Sequence, residues 1–339
     1  MQHEILKSSN LLTQDGELVQ RGWAKELILD YHRKDIVGPA FKIKEWDYYA
    51  ILSDDVGISF TISDMGYIGF VGATVFDFSS KQEISNSVTT ILPMGGFKMP
   101  ESSKQGDVIF QNKNISLRFI RKEQSRVLEV DWKQFHEGHD LQGSVELFHA
   151  ADDSMLIATP FAENPRAFYY NHKINCMPAQ GCFTLGERKL AFSRDTAFGV
   201  LDWGRGVWTY SNTWYWGSAS GMVSGQRFGF NIGYGFGDTS AASENMLLVD
   251  GKAHKLDQIT FHIPEPDFLK PWKFTSNDNR LQLDFEPILD RYSNTNLLVV
   301  QSWQHQVFGY FSGDVILDDG QTLKIDKLLG FAEKVKNRW

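Results

Sequence analysis

Residues 201–221 read LDWGRGVWTYSNTWYWGSASG, and residues 227–237, a few positions on, read RFGFNIGYGFG. The first stretch sets one carboxylate, one guanidinium and four tryptophans among glycines. Asp202 and Arg205 are separated by Gly204 and followed by Gly206, so the backbone is free to turn and let the two charges meet, where a plain strand would put them on opposite faces. Trp214 and Trp216 share one face of a period-2 segment. In the second stretch Phe228, Phe230, Ile232, Tyr234 and Phe236 point one way, and Gly229, Gly233, Gly235 and Gly237 the other. One face of this strand is bulky and the other nearly bare backbone. A bare strand face marks a bend, a bulge, or close approach by a ring, a second backbone or a ligand. Either Trp214 and Trp216 cover these glycines inside a curved sheet, or a ligand does.

The same alternation extends outward in both directions. Ile115, Leu117 and Phe119 alternate with Ser116 and Arg118, and Leu128, Val130 and Trp132 alternate with Glu129, Asp131 and Lys133. These patterns predict half-buried antiparallel strands. No window carries a sustained 3.6-residue apolar period. Asp250-Gly251 and Asp319-Gly320 are hairpin turn signals. Residues 160–182, with prolines at 165 and 178, read as the connection between two meanders of about eight strands each, and eight antiparallel strands close naturally into a barrel. The expectation is an all-β chain of two tandem antiparallel β-barrels with little helix, divided as 1–185 and 186–339. Within residues 1–40 a short helix and an edge strand fit equally well.

At 339 residues the chain exceeds the roughly 250–300 at which single cores stop growing, which favours two domains. Aromatic residues, 14% of the chain, favour strands and ligand-lined concavities. A net charge of -8 without a basic run argues against a nucleic-acid partner. No apolar run approaches a membrane span, and the N-terminus lacks a secretion pattern, so a cytoplasmic protein is expected, with Cys176 and Cys182 as reduced thiols. The His136-x-x-His139 pair is too few ligands for a metal site, and no dinucleotide or phosphate-cradling glycine motif is present. Neither a metal nor a cofactor is expected.

The segments DWGRGVW (202–208) and WYW (214–216), with YYNHKINCMP upstream and GFAEKVKNRW at the C-terminus, resemble a family of unknown function in bacteria and fungi, the domain-of-unknown-function 2804 family, along most of the chain. More distantly the chain is similar to the double-calycin group that includes carotenoid 1,2-hydratase and fungal Diels-Alderases, where the matching motif reads D-H-x-W-G with a later W-x-W. The resemblance implies two lipocalin-like (calycin) barrels with an apolar cavity in or between them. Asp202 carries over by position. The motif's His is Trp203 here and its Trp is Gly204, so no imidazole follows the carboxylate.

Asp202 is the first candidate for catalysis. An Asp among tryptophans has surroundings that would keep it protonated as a general acid, whereas a salt bridge to Arg205 would keep it ionised as a structural tie. His172 and His305, each beside aromatic strand residues, are candidates for the base. The expected lining of an apolar ligand site comprises Trp203, Arg205, Trp208, Trp214, Trp216, Tyr170, Asn171 and Phe230, with Glu244 and Asn245 at its mouth. Three functions fit: a carrier of a lipid- or isoprenoid-like molecule in an aromatic-lined barrel, a cofactor-free hydratase, isomerase or cyclase using Asp202, and a carbohydrate-active β protein. The last would call for a second carboxylate, and none is evident.

Overall fold

The computed structural model describes residues 2–149, 151–297 and 300–338. Among these, all regular structure is β apart from two single-turn 3-10 segments, Arg33–Asp35 and Ala40–Lys42. Short strands at Ser9–Asn10, Gly22–Ala24 and Leu29–Asp30 occupy the N-terminal region. Two large antiparallel sheets, each curled about its own core, realise the tandem lipocalin-like plan.

Along the first sheet the strands run Gln82–Ile91, Ile68–Asp77, Val56–Asp64, Ile43–Leu52, Phe198–Val207, Asn164–Leu185, His139–Phe148, Ser125–His136, Ile115–Arg121 and Val108–Gln111. The alternating segments at 115–121 and 125–136 pair with each other, apolar sides inward, as their period-2 pattern predicts. The second sheet runs Lys252–Lys255, Met246–Val249, Gln226–Tyr234, Ser211–Val223, Thr322–Arg338, Val300–Ile316, Leu281–Leu297, Trp272–Ser276 and Ile259–His262. The chain thus changes sheet between Val207 and Ser211. The strand Phe198–Val207, which the 185/186 division assigns to the second barrel, is a central strand of the first sheet, between Ile43–Leu52 and Asn164–Leu185.

Where the two sheets face each other, the long strand Asn164–Leu185 is kinked. Its register against Phe198–Val207 slips between Ile174 and Met177, with Cys176 in the left-handed region at φ 59°. This bulge turns Asn175 and Cys176 onto the second sheet. Asn175 donates to the Ser218 hydroxyl (2.8 Å) and the Phe230 carbonyl (3.0 Å), and the Cys176 N–H donates to Ser220 Oγ (3.0 Å). Cys176 and Cys182 are both free, and burial pushes the Cys176 thiol up to about 12.

The second barrel is filled by its own side chains. Phe228, Phe230, Phe274, Leu281 and Phe311 are fully buried in the second core, and Phe230 packs edge-on against Phe311 at 5.0 Å. Expected as a ligand-lining residue, Phe230 is a core residue in contact with other core rings. The strand around it is shorter than its alternation suggests, because Tyr234 ends it. Gly235 and Gly237, at φ 92° and 77°, turn the chain so that Phe236 leaves the Phe228 face and packs between the sheets.

Candidate functional site

The site lies on the faces that the two sheets turn toward each other, and strand alternation decides which residues reach it. On Phe198–Val207, Leu201, Trp203 and Arg205 enter the first barrel, whereas Asp202 and Gly204 face the second sheet. On Asn164–Leu185, Phe168, Tyr170, His172 and Ile174 point inward, and Tyr169, Asn171 and Lys173 point across. Lys173 is the direct cross-strand neighbour of Asp202. From the second sheet come Trp214 and Trp216 on one strand, Asn231 on the next, Glu333 and Gln306 on the C-terminal pair, and Glu244 from the segment before Met246.

The expected Asp202–Arg205 salt bridge does not form, because the glycines leave the strand straight and the two side chains on opposite faces. Arg205, 0% exposed, is held by Asp47 through both terminal nitrogens at 3.1 Å and by Glu45 at 3.9 Å, and it donates to the Trp46 and Pro100 carbonyls. Its guanidinium lies 4.2 Å from the Trp203 ring centre. Gly204 serves a different need: a Cβ there would fall inside the Trp46 ring, which covers this stretch of backbone.

Asp202 is instead paired with Lys173, its Oδ1 3.1 Å from Nζ, and accepts a hydrogen bond from Asn171 Nδ2 at 2.5 Å. The same ammonium lies 3.7 Å from Glu244 Oε2 and 4.0 Å from the centre of the Trp216 ring. Trp216 Nε1 donates to Asn231 Oδ1 (2.6 Å), and Asn231 Nδ2 donates to the Glu244 carbonyl (2.6 Å). A third carboxylate, Glu333, accepts from Trp214 Nε1 (3.0 Å) and Gln306 Nε2 (3.2 Å), and Gln306 also donates to the Tyr48 hydroxyl at 3.2 Å.

Lys173 lies among three carboxylates, with Lys255 acting on Glu244 and Arg291 on Glu333 from farther off, and burial shifts the protons of the two glutamates. Burial pushes Glu333 up to about 7, with the Asp202 charge adding to the rise against the Trp214 hydrogen bond and Lys173. Glu244 is raised for the same first reason and also by Asp202, against the pull of Lys173. The Tyr169 phenol is raised well above its ordinary value by burial and then by the charges of Glu244, Asp202 and Glu333. Tyr169 stacks on Trp46 (6.2 Å, 10°), and Phe236 stands edge-on to Tyr169, Trp208 and Trp214 at 4.7, 4.8 and 5.1 Å. Trp46, Trp208 and Trp214 are half-buried, and Asp202 is 13% exposed. The Asn171 carbonyl oxygen, fully buried, has no hydrogen-bond partner.

The remaining candidates lie elsewhere. His172 is buried in the first barrel with Ser103 Oγ 2.7 Å from Nδ1 and Ser154 Oγ 2.7 Å from Nε2, and burial lowers it well below its ordinary value, so it is a neutral link between two hydroxyls. Tyr170 points the same way and donates to the Leu29 carbonyl. His305 points into the second barrel, on the opposite face of its strand from Gln306. It is 2.6 Å from Asp290 and stacked on Phe268 (3.8 Å, 4°). Asn245 accepts from the Gly233 N–H and donates to the Asp257 carbonyl, a tie between strands. His136 and His139 face each other at an exposed hairpin tip.

Of the expected residues, Asp202, Asn171, Trp208, Trp214, Trp216 and Glu244 converge here. Sequence reasoning missed Lys173, Glu333, Asn231, Tyr169 and Trp46. For Glu333 the available signal was the alternation in FAEKV, which sets it on the same face as the buried Phe331 and Val335.

The fold is similar to that of three solved proteins. CghA superposes with a TM-score of 0.57 at 11% identity, over 87% of this chain and 88% of that one. An AttH-like protein from Nitrosomonas europaea gives 0.56 at 11% identity over 90% and 96%, and kievitone hydratase from Nectria haematococca 0.54 at 9% over 98% and 98%. At such identities the likeness is one of fold. No curated protein matches the chain in sequence. The model of the family described as Domain of unknown function (DUF2804) matches residues 2–339, and the chain belongs to that family.

Proposed function

We propose that the protein binds an apolar, lipid- or isoprenoid-like small molecule at the seam between its two sheets and moves a proton on it without a cofactor, as a hydratase, isomerase or cyclase does. The observation that carries this reading is Glu333, a buried carboxyl with a pKa near 7 beside the Lys173–Asp202 pair. A carrier needs apolar lining only, and burying three carboxylates around one lysine is costly unless they have work to do.

In this reading Glu333, protonated in half the molecules at neutral pH, is the general acid. Asp202, held by Lys173 and Asn171, is the carboxylate that receives a proton, and it takes the role of base from His172 and His305. The aromatic approach of Trp46, Trp208 and Trp214 accommodates the apolar body of the ligand. The free carbonyl oxygen of Asn171 offers an acceptor to a ligand hydroxyl. That a protein of like fold is a kievitone hydratase agrees with this class of reaction and does not identify the substrate. The sugar-binding alternative is disfavoured because Trp216, at 4% exposure, lies under Lys173 and offers no open face.

Fatty acids, isoprenoid alcohols and polycyclic dienes, titrated against the tryptophan emission, provide the first test; ligands that shift it are then incubated with the protein in D2O. Deuterium incorporation or water addition that falls about 10² to 10⁴-fold in Glu333→Gln, with binding retained, is expected. Emission perturbed by oligosaccharides alone would overturn the reading.

A further inference from the structure

On the other face of the same central strands, inside the first barrel, the charges do not balance. Arg33, Arg121, Arg126 and Arg205 bring four guanidinium groups to a region whose buried acids are Glu45 and Asp47, with the exposed carboxylates of Glu101 and Asp107 at its rim on the Arg33 and Arg121 backbone N–H groups. Glu45 is taken by Arg33, Arg205 and the Tyr31 hydroxyl, and Asp47 by Arg205. Lys44 and Asp64, nearby, offset each other. His149, lowered by burial to about 4, and His172 are neutral. Even with both buried acids ionised, they are fewer than the guanidinium groups around them.

Arg121 and Arg126 are the two that are in no ion pair among the described residues. Arg126, 4% exposed, donates to the Tyr49 hydroxyl (3.3 Å) and the Ser103 carbonyl (2.6 Å), and its Nε is buried with no acceptor. Arg121 donates to the Ser125 and Glu123 carbonyls, and its Nε is likewise buried and unpartnered. Burial, and then the Arg126 charge, lower the Arg121 guanidinium from its ordinary range. Both side chains line a cavity of about 10 Å³, with Asp47, Tyr49, Ser103 and Pro100 in its wall, large enough for one water-sized body. A water molecule there would satisfy a hydrogen bond and leave the charge uncompensated.

We propose that this cavity binds a single halide-sized anion, chloride, between Arg121 and Arg126. The anion would accept from the unpartnered nitrogens and neutralise part of the excess, stabilising the first barrel independently of the chemistry at the inter-sheet seam.

The test is thermal unfolding of the full chain in sodium chloride and in sodium gluconate at equal ionic strength, with the ³⁵Cl NMR linewidth as a second readout. A melting temperature that is higher in chloride and climbs with its concentration, and a broadened line, are expected. Arg121→Gln, at a half-buried position, should weaken chloride binding roughly tenfold or more and remove both effects. Arg126→Gln should do the same where it folds. Equal melting in the two salts with an unbroadened line, or a chloride dependence that survives Arg121→Gln, would overturn the proposal.

Discussion

Asp202 was legible as important and misread in its partnership. Gly204 and Gly206 suggest a turn that would bring Arg205 round to it, but they exist because Trp46 and the Phe168 carbonyl press on the strand, which itself runs straight. The consequence is testable by double-mutant cycles. Arg205→Gln strands Asp47, while Glu45 keeps Arg33 and the Tyr31 hydroxyl, and should cost about 3 to 5 kcal/mol. Its effect should add to that of Asp202→Asn, while Asp202→Asn and Lys173→Met should couple by about 1 kcal/mol or more, read from urea unfolding. Glu333, by contrast, went unnoticed although alternation in FAEKV sets it on the face of the buried Phe331 and Val335. Because burial raises it from 4.5 to about 7, the folded state keeps a proton that the unfolded chain has lost between those values. Its contribution to stability is therefore full below about pH 4.5 and declines as pH rises through 7. Glu333→Gln should flatten that decline between pH 5 and 8 by on the order of 3 kcal/mol, and an unchanged slope would contradict the assignment.

At the level of the strand, period-2 alternation was the reliable signal. The bulky and bare faces of Gln226–Tyr234 were readable, and what covers the bare one was not. Gly229 lies under Cys176 of the first sheet, and Gly233 lies against Glu244 and the Tyr215 carbonyl of its own sheet. Close approach by the protein's own atoms, and not a ligand in a barrel, explains these glycines. The end of the strand was missed because Gly235 and Gly237 continue the alternating pattern while their positive φ angles turn the chain away. The covering relation predicts that Gly204→Ala forces the Trp46 indole off the strand and destabilises the protein by about 3 kcal/mol. Adding Trp46→Ala should recover part of that loss in thermal denaturation. Equal melting of Gly204→Ala and the parent would show that Trp46 does not rest there.

For the molecule as a whole, all-β content and tandem barrels could be read from alternation, turn signals and length. The point of division could not, because Phe198–Val207 has the same pattern as its neighbours and only pairing shows which sheet it joins. We propose that the folding units divide between Val207 and Ser211. The seam between them contains Lys173, Asp202, Glu244 and Glu333, which neither unit could leave half-paired, and the N-terminal segment crosses it through hydrogen bonds from His3 to Ala241 and from Gln2 to Leu256. The two units should therefore unfold together, with far-UV circular dichroism and tryptophan emission giving coincident urea transitions. Two separated transitions would show that the seam is weaker than its contacts suggest.

Burial at this seam raises the Glu333 carboxyl to about 7, where it can give up a proton near neutral pH. The direct measurement is a pH titration of the side-chain carboxyl ¹³C resonances in protein labelled at glutamate, beside the Glu333→Gln variant. One resonance with a midpoint near 7 that disappears in the variant is the predicted result. A spectrum in which every glutamate absent from the variant titrates near the ordinary value of about 4.3 would contradict it.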